Sequence, residues 1–186
     1  MKFLLLIFTL LPFYLNAEIK IVESYRFYKV ATKSKSNILE DLNNASPIRE
    51  EGNVFHGYTR YDIKWKFWWK SNNNKCEVTK VETNLKLKYT MPSLISSNSE
   101  IKVIWSNWYP NLEIHEKGHG DLAKDTAYKI DKKLTALGSK ANCDLLKNEG
   151  NKIAYRLMAN LKEANKIYDR KTNHGETQKA WIYMHL

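Results

Sequence analysis

Two histidines four residues apart, with a glutamate directly after the first, form the most chemically informative pattern in this sequence. They are His115, Glu116 and His119, which fit H-E-x-x-H. Side chains four positions apart on a helix lie on the same face, so both imidazoles can bind one cation. The chain contains only 5 histidines, and composition alone seldom produces this spacing in so small a set. The pattern therefore predicts a metal site on a helix.

Zinc is the metal that this pattern predicts, because imidazole nitrogen is its usual ligand and a catalytic zinc keeps one position open. One Zn²⁺ ion lowers the pKa of a bound water, and Glu116 is then the general base that takes the proton of that water. We therefore expect an enzyme, a zinc metallopeptidase acting on a peptide or protein substrate. The alternative is a packed histidine pair without metal, whose ring nitrogens then need buried hydrogen-bond partners.

A third protein ligand must complete a zinc site of this kind. The acidic residues two and six positions after His119 lie roughly 200° and 240° around the helix from it, so they point away from the metal. We predict that His174, in a turn-like segment after the last helix, is the third ligand. Asp169 is expected to orient its ring or accept a hydrogen bond from it. Glu149, on the last helix, stays open as the alternative ligand.

Strands are predicted in the part of the chain that precedes the motif. Residues 59–69 and 76–91 alternate apolar and polar side chains, and residues 71–74 between them are typical of a turn, which predicts an antiparallel hairpin with one buried face. Residues 18–32, rich in Ile, Val, Tyr and Phe, predict a further strand. The aromatic side chains expected in the core of the hairpin are Trp65, Phe67 and Trp69.

Helices are predicted in the second half. Apolar residues recur at steps of three and four over 101–108, 112–137 and 143–168. Pro110 either kinks the first of these helices or starts the second, and Gly138 ends the helix that carries the motif. The predicted fold class is α+β: an N-terminal antiparallel strand meander followed by helices, with the H-E-x-x-H helix packed on the sheet as in zincins.

The first 17 residues have the composition of an export signal. A basic start is followed by an almost wholly apolar run over residues 3–15 and by the small residue Ala17. The run is shorter than the roughly 20 residues that span a bilayer. We therefore predict a signal peptide over residues 1–17, a single protease-like domain over 18–186, and a periplasmic or secreted protein with no transmembrane span in the mature chain. A retained N-terminal anchor is the alternative.

The charge balance indicates which binding partners to expect, and the cysteine count indicates a disulfide. The 186-residue chain has 30 Lys and Arg against 20 Asp and Glu, a balance that favours an anionic partner such as the cell-envelope surface. The lysines are scattered, so we expect no nucleic-acid partner. The two cysteines, Cys76 and Cys143, are predicted to form a disulfide in an exported protein, with two free thiols as the alternative.

The sequence resembles the bacterial domain-of-unknown-function 922 family, described as secreted zinc-dependent proteases. The residues that carry the resemblance are Gly57-Tyr58-Thr59 ahead of Trp65, Cys76, Trp105, Leu112, the motif His115 to His119, Cys143, and the run Tyr168 to Gly175. The resemblance implies zinc protease chemistry over nearly all of the mature chain without naming a substrate.

Two other functions stay open. A hydrolase of cell-wall amides is suggested by the expected location and the positive charge. A non-catalytic binding module with a structural zinc is the other, although such a site fills all four positions with protein ligands and gives Glu116 no task.

Overall fold

The computed structural model describes residues 16–50 and 52–186. The predicted signal peptide, residues 1–17, lies outside this part except for its last two residues. The long elements are three strands, β1 (Asn16–Ala31), β4 (Tyr58–Asn72) and β5 (Lys75–Ile95), and two helices, α2 (Ser99–Thr135) and α3 (Cys143–Thr172). The short ones are α1 (Ile38–Ala45), β2 (Ile48–Glu50), β3 (Asn53–Phe55), β6 (Ser139–Lys140), and 3₁₀ turns at Lys35–Asn37, Glu176–Gln178 and Ile182–His185.

The main sheet has the order β1-β5-β4, and β6 pairs with the start of β5. The predicted hairpin is confirmed, since β4 and β5 are antiparallel neighbours. The pairing of β1 departs from the all-antiparallel expectation because β1 runs parallel to β5. β1 ends and β4 begins at the same end of the sheet, so the two strands run in opposite directions and leave room for β5 between them. The fold is mixed α/β, with strands first and helices after them.

One face of the sheet carries the core. The buried side chains of β5 alternate along the strand, as the sequence predicts: Val81, Thr83, Leu85, Leu87, Tyr89 and Met91. The helices α2 and α3 cover this face. Of the predicted core aromatics, Phe67 is buried and Trp65 packs partly against the core. The prediction is wrong for Trp69, which is 39% exposed. Trp69 does stay on the side of Phe67, with ring centroids 5.7 Å apart, and opposite the buried Val78, but its ring is not fully covered.

Helix α2 is a single helix of 37 residues that continues through Pro110. The two helices expected before and after Pro110 are therefore one, and no new helix begins at the proline. Its N-terminus is closed by Asn98, whose side-chain oxygen accepts hydrogen bonds from the amides of Glu100 and Ile101. Because α2 is continuous, the H-E-x-x-H motif lies in its middle, where the helix is held on the sheet. None of the helices in the described part of the chain has the length and apolar run of a membrane span.

The predicted disulfide is confirmed: Cys76 and Cys143 are bonded, with their Cα atoms 5.0 Å apart. Cys76 lies near the start of β5 and Cys143 is the first residue of α3. The bond therefore fixes the beginning of α3 to the sheet. The other end of the same helix reaches the motif on α2.

Candidate metal centre

The two motif histidines lie side by side on α2, with ring centroids 4.9 Å apart. Nδ1 of His115 is 2.9 Å from Oε1 of Gln178, and Nδ1 of His119 is 2.6 Å from Oδ1 of Asn165. Amide oxygens only accept hydrogen bonds, so each Nδ1 carries the proton and donates it. In the neutral rings the Nε2 atoms are then the free electron-pair donors, which is the tautomer that binds a metal.

Both Nε2 atoms face the carboxylate of Asp169 on α3. Oδ1 of Asp169 is 3.0 Å from Nε2 of His119 and 3.6 Å from Nε2 of His115. One ligand atom from each residue lies within 4.8 Å of the others. Electron-pair donors that face one another repel unless a proton or a cation lies between them. The donor set therefore fits a divalent metal ion.

The pKa values of the three side chains respond to burial and to this proximity. Burial lowers the pKa of His115. Burial by itself would also lower the pKa of His119, but its hydrogen bonds with Asp169 and Asn165 outweigh that effect and raise it. Burial by itself would raise the pKa of Asp169, but the hydrogen bond and the charge of His119 lower it below its usual value. Asp169 is thus held as an anion beside two imidazoles.

Glu116 lies beside this group with its carboxylate buried. Oγ1 of Thr59 donates to Oε2 of Glu116 at 2.7 Å. The other oxygen, Oε1, has no hydrogen-bond partner in the described residues and faces Gly57, where an added Cβ would lie only 2.6 Å from it. Burial raises the pKa of Glu116 to about 7, against the opposing effect of the Thr59 hydrogen bond. A carboxylate of that pKa can both take and return a proton near neutral pH.

These groups line one side of a cleft of about 820 Å³. Its lining includes four aromatic side chains, Phe55, Tyr58, Trp181 and Tyr183. It also includes three basic residues of α3, Lys162, Lys166 and Arg170. A cleft of this size accommodates several residues of an extended chain or a ligand of similar bulk.

The family model described as "Bacterial protein of unknown function (DUF922)" matches residues 25–175. The chain belongs to this family. The match includes His115, Glu116, His119 and Asp169, so the whole candidate centre lies inside the family region. No curated protein and no solved structure matches the chain.

His174 of this DUF922 protein lies in the same cleft. Its backbone is left-handed, with φ 51°, and its ring centroid is 5.6 Å from that of Phe55. It is not in the group formed by His115, His119 and Asp169. The expectation that His174 is a metal ligand stays a prediction. Glu149 does not line the cleft, and its carboxylate is 2.9 Å from Nζ of Lys140.

Several residues that the sequence did not single out hold the centre of this DUF922 protein in place. The ring of Tyr168 stacks on His115 at 5.2 Å between centroids and meets His119 edge to face at 4.9 Å. Gly118 makes room for it, since a Cβ there would lie 2.1 Å from the Tyr168 hydroxyl. Gly118 therefore allows the close packing of Tyr168 against α2. Asn165 lies four residues before Asp169, so helical spacing places both on one face and could have predicted a role for Asn165 in the site. No pattern in the neighbouring sequence predicts such a role for Gln178.

Proposed function

We propose that this protein is a zinc-dependent peptidase in which His115, His119 and Asp169 hold one metal ion. The observation that carries the proposal is the convergence of three ligand atoms from two helices beside a buried glutamate. Two imidazoles and one carboxylate form a donor set found in catalytic zinc sites, and three protein ligands leave a position for water or substrate. The aspartate takes the place that the sequence alone suggested for His174.

When bound, the zinc ion supplies Lewis acidity to the site. Glu116 accepts a proton from the attacking water at Oε1 and returns it to the leaving amine. Thr59 holds the other oxygen of Glu116 and so fixes the direction in which Oε1 points. Gly57 lets the Glu116 side chain pack against the backbone there, because a Cβ would lie 2.6 Å from Oε1. Gln178 and Asn165 keep the two imidazoles in the metal-binding tautomer.

The test of the metal centre is zinc content per molecule in purified protein. Asp169→Ala is expected to reduce bound zinc about as strongly as His119→Ala, whereas Glu149→Ala is the matched carboxylate control on α3 and should keep it. His174→Ala separates the two ligand assignments. Full zinc in Asp169→Ala together with loss of zinc in His174→Ala would return the third ligand to His174.

The test of the reaction is cleavage of a protein panel and of purified peptidoglycan, with and without a chelator. The two substrates separate a peptidase from a hydrolase of cell-wall amides. Glu116→Gln is expected to keep zinc and fold while lowering cleavage by about 10²- to 10⁴-fold. If no chelator-sensitive cleavage of either substrate is found, and Glu116→Gln behaves as the wild type in the cell, the structural-zinc module is the better reading.

A further inference from the structure

The face of the sheet that points away from α2 and α3 is strongly basic. In the pairing registers of β1, β4 and β5, the side chains that alternate with the core residues lie on this outer face. Its eight basic residues are Lys20, Arg26, Arg60, Lys64, Lys66, Lys80, Lys86 and Lys88, and all are exposed except the half-buried Lys80. Within residues 20–26 of β1, 60–68 of β4 and 80–90 of β5, the acidic residues on this face are Asp62 and Glu82. This surface, called the basic face below, has an excess of six positive charges.

The charges of the basic face are poorly compensated. Arg60 stands directly opposite Lys88 across the β4–β5 ladder, and like charges in that position destabilise a sheet. Neither residue, nor Lys86, has an acidic partner within residues 16–50 and 52–186. Asp62 stands opposite Lys86 in the same ladder, but its carboxylate pairs with Lys64 at 3.5 Å. The stability of the sheet does not explain why Arg60, Lys86 and Lys88 lie together without acidic partners. Binding of an anionic partner to these residues would explain it.

A shallow depression lies among these uncompensated charges. It has a volume of about 450 Å³ and is lined by Arg60, Tyr61, Asp62, Lys86 and Lys88. Three of its five residues are basic. The remaining charged residue, Asp62, is acidic, so the depression has an excess of two positive charges.

The basic face also presents apolar groups suited to a lipid boundary. Trp68 lies on it, and Nζ of Lys66 and Nζ of Lys80 stand 4.6 and 5.1 Å from the centre of its ring. Val22, on β1 at the other side of β5, is 44% exposed. Tryptophan together with lysine is the pair of residue types that is common at membrane–water interfaces.

We propose that the basic face docks the protein on a bilayer that contains anionic phospholipid. The face is broad, and from Arg60 to Lys66 it extends about 20 Å along the strand. Six of its eight cations are lysines, which act as point charges towards a diffuse anionic surface, whereas bidentate phosphate recognition in nucleic acids favours arginine. The cleft lies on the helix-bearing side of the sheet, so docking in this way leaves it accessible. The proposal does not depend on the peptidase proposal.

The experiment is co-sedimentation of the full chain with phosphatidylcholine vesicles that contain either no phosphatidylglycerol or about one third of it. The test variant is Lys86→Glu with Lys88→Glu. The matched control is Lys147→Glu with Lys152→Glu, which changes net charge equally at exposed positions of α3. All three proteins share the same N-terminal segment, so its own affinity for lipid cancels in the comparison.

The wild type and the control are expected to prefer the anionic vesicles, and the test variant should lose about tenfold or more of that preference. High salt should remove the preference of the wild type as well. Equal losses in the two variants would overturn the proposal, because net charge rather than this face would then govern binding. Salt-sensitive binding to polyphosphate or duplex DNA without binding to anionic vesicles would also overturn it and assign the face to a soluble polyanion.

Discussion

Gly57→Ala tests how closely the carboxylate of Glu116, the proposed general base, is positioned. An added Cβ would lie 2.6 Å from Oε1 and 2.9 Å from the Cδ atom of Glu116, whereas ordinary contacts begin near 3.4 Å. The carboxylate therefore has to move by roughly 1 Å, and a displacement of that size at a reacting group costs on the order of 100-fold in rate. The φ angle of Gly57 is not positive, so alanine adds no backbone strain.

The same substitution has a measurable cost in stability. Glu116 is buried and its Oε2 atom accepts a hydrogen bond from Thr59, so moving it strains a packed site. We expect the free energy of unfolding to fall by about 1–3 kcal/mol. Zinc content should stay unchanged because the three atoms nearest to the added Cβ all belong to Glu116 and none to His115, His119 or Asp169.

The assay is peptide cleavage, zinc content and urea unfolding of Gly57→Ala beside Gly150→Ala. Gly150 is the matched control, since a Cβ there would lie 2.8 Å from Phe67, away from the cleft. Gly150→Ala should keep the wild-type rate per folded molecule. Wild-type cleavage by Gly57→Ala would refute the reasoning, because the space beside Oε1 would then have no part in the reaction.

Three further perturbations have defined outcomes. Replacing Cys76 and Cys143 by serine opens a loop of 67 residues and should lower the free energy of unfolding by about 4 kcal/mol in the chain-entropy model, as measured in urea; an unchanged midpoint would contradict this. Burial lowers the pKa of His56 from its usual value of 6.5 to about 4, so the unfolded chain takes up a proton there before the folded one does. Stability should therefore fall by about 3 kcal/mol as the pH drops from 6.5 to 4, and His56→Gln should remove that part of the pH dependence. A chelator should lower the Tm of the wild type but leave that of His119→Ala unchanged, and an equal shift in both would argue against a specific metal site.

The parts of the fold that the sequence predicts well are those with a local signal. Strict alternation in β4 and β5 gives the hairpin and its buried face, and helical spacing places the motif on a helix. Trp69 shows the limit of alternation: it lies on the core side, opposite the buried Val78, yet is 39% exposed. Alternation predicts the side of the sheet but not how far that side is covered. No short run of residues predicts the parallel pairing of β1 either, since it depends on which strand of the β4–β5 hairpin lies next to β1.

The position of Asp169 shows why the candidate centre could be predicted only in part. The apolar stripe that predicts the last helix ends at Tyr168, so the sequence pattern places Asp169 after the end of that helix. The helix continues to Thr172, and Asp169 therefore lies one turn after Asn165 on the same face. Its approach to His119 depends on how α3 packs across α2, which is a property of the tertiary structure and not of any short run of residues.

The parallel pairing of β1 with β5 has a consequence for the order of events during folding. Each residue of β1 pairs with one 64 positions further along the chain, as in Asn16↔Lys80. β1 is synthesised first but has no neighbour in the main sheet until β5 has emerged, and closing a segment of that length costs about 4 kcal/mol of chain entropy. Such distant pairing slows folding. Because β5 ends at Ile95, about half of the 186-residue chain must be synthesised before β1 can take its place in the sheet.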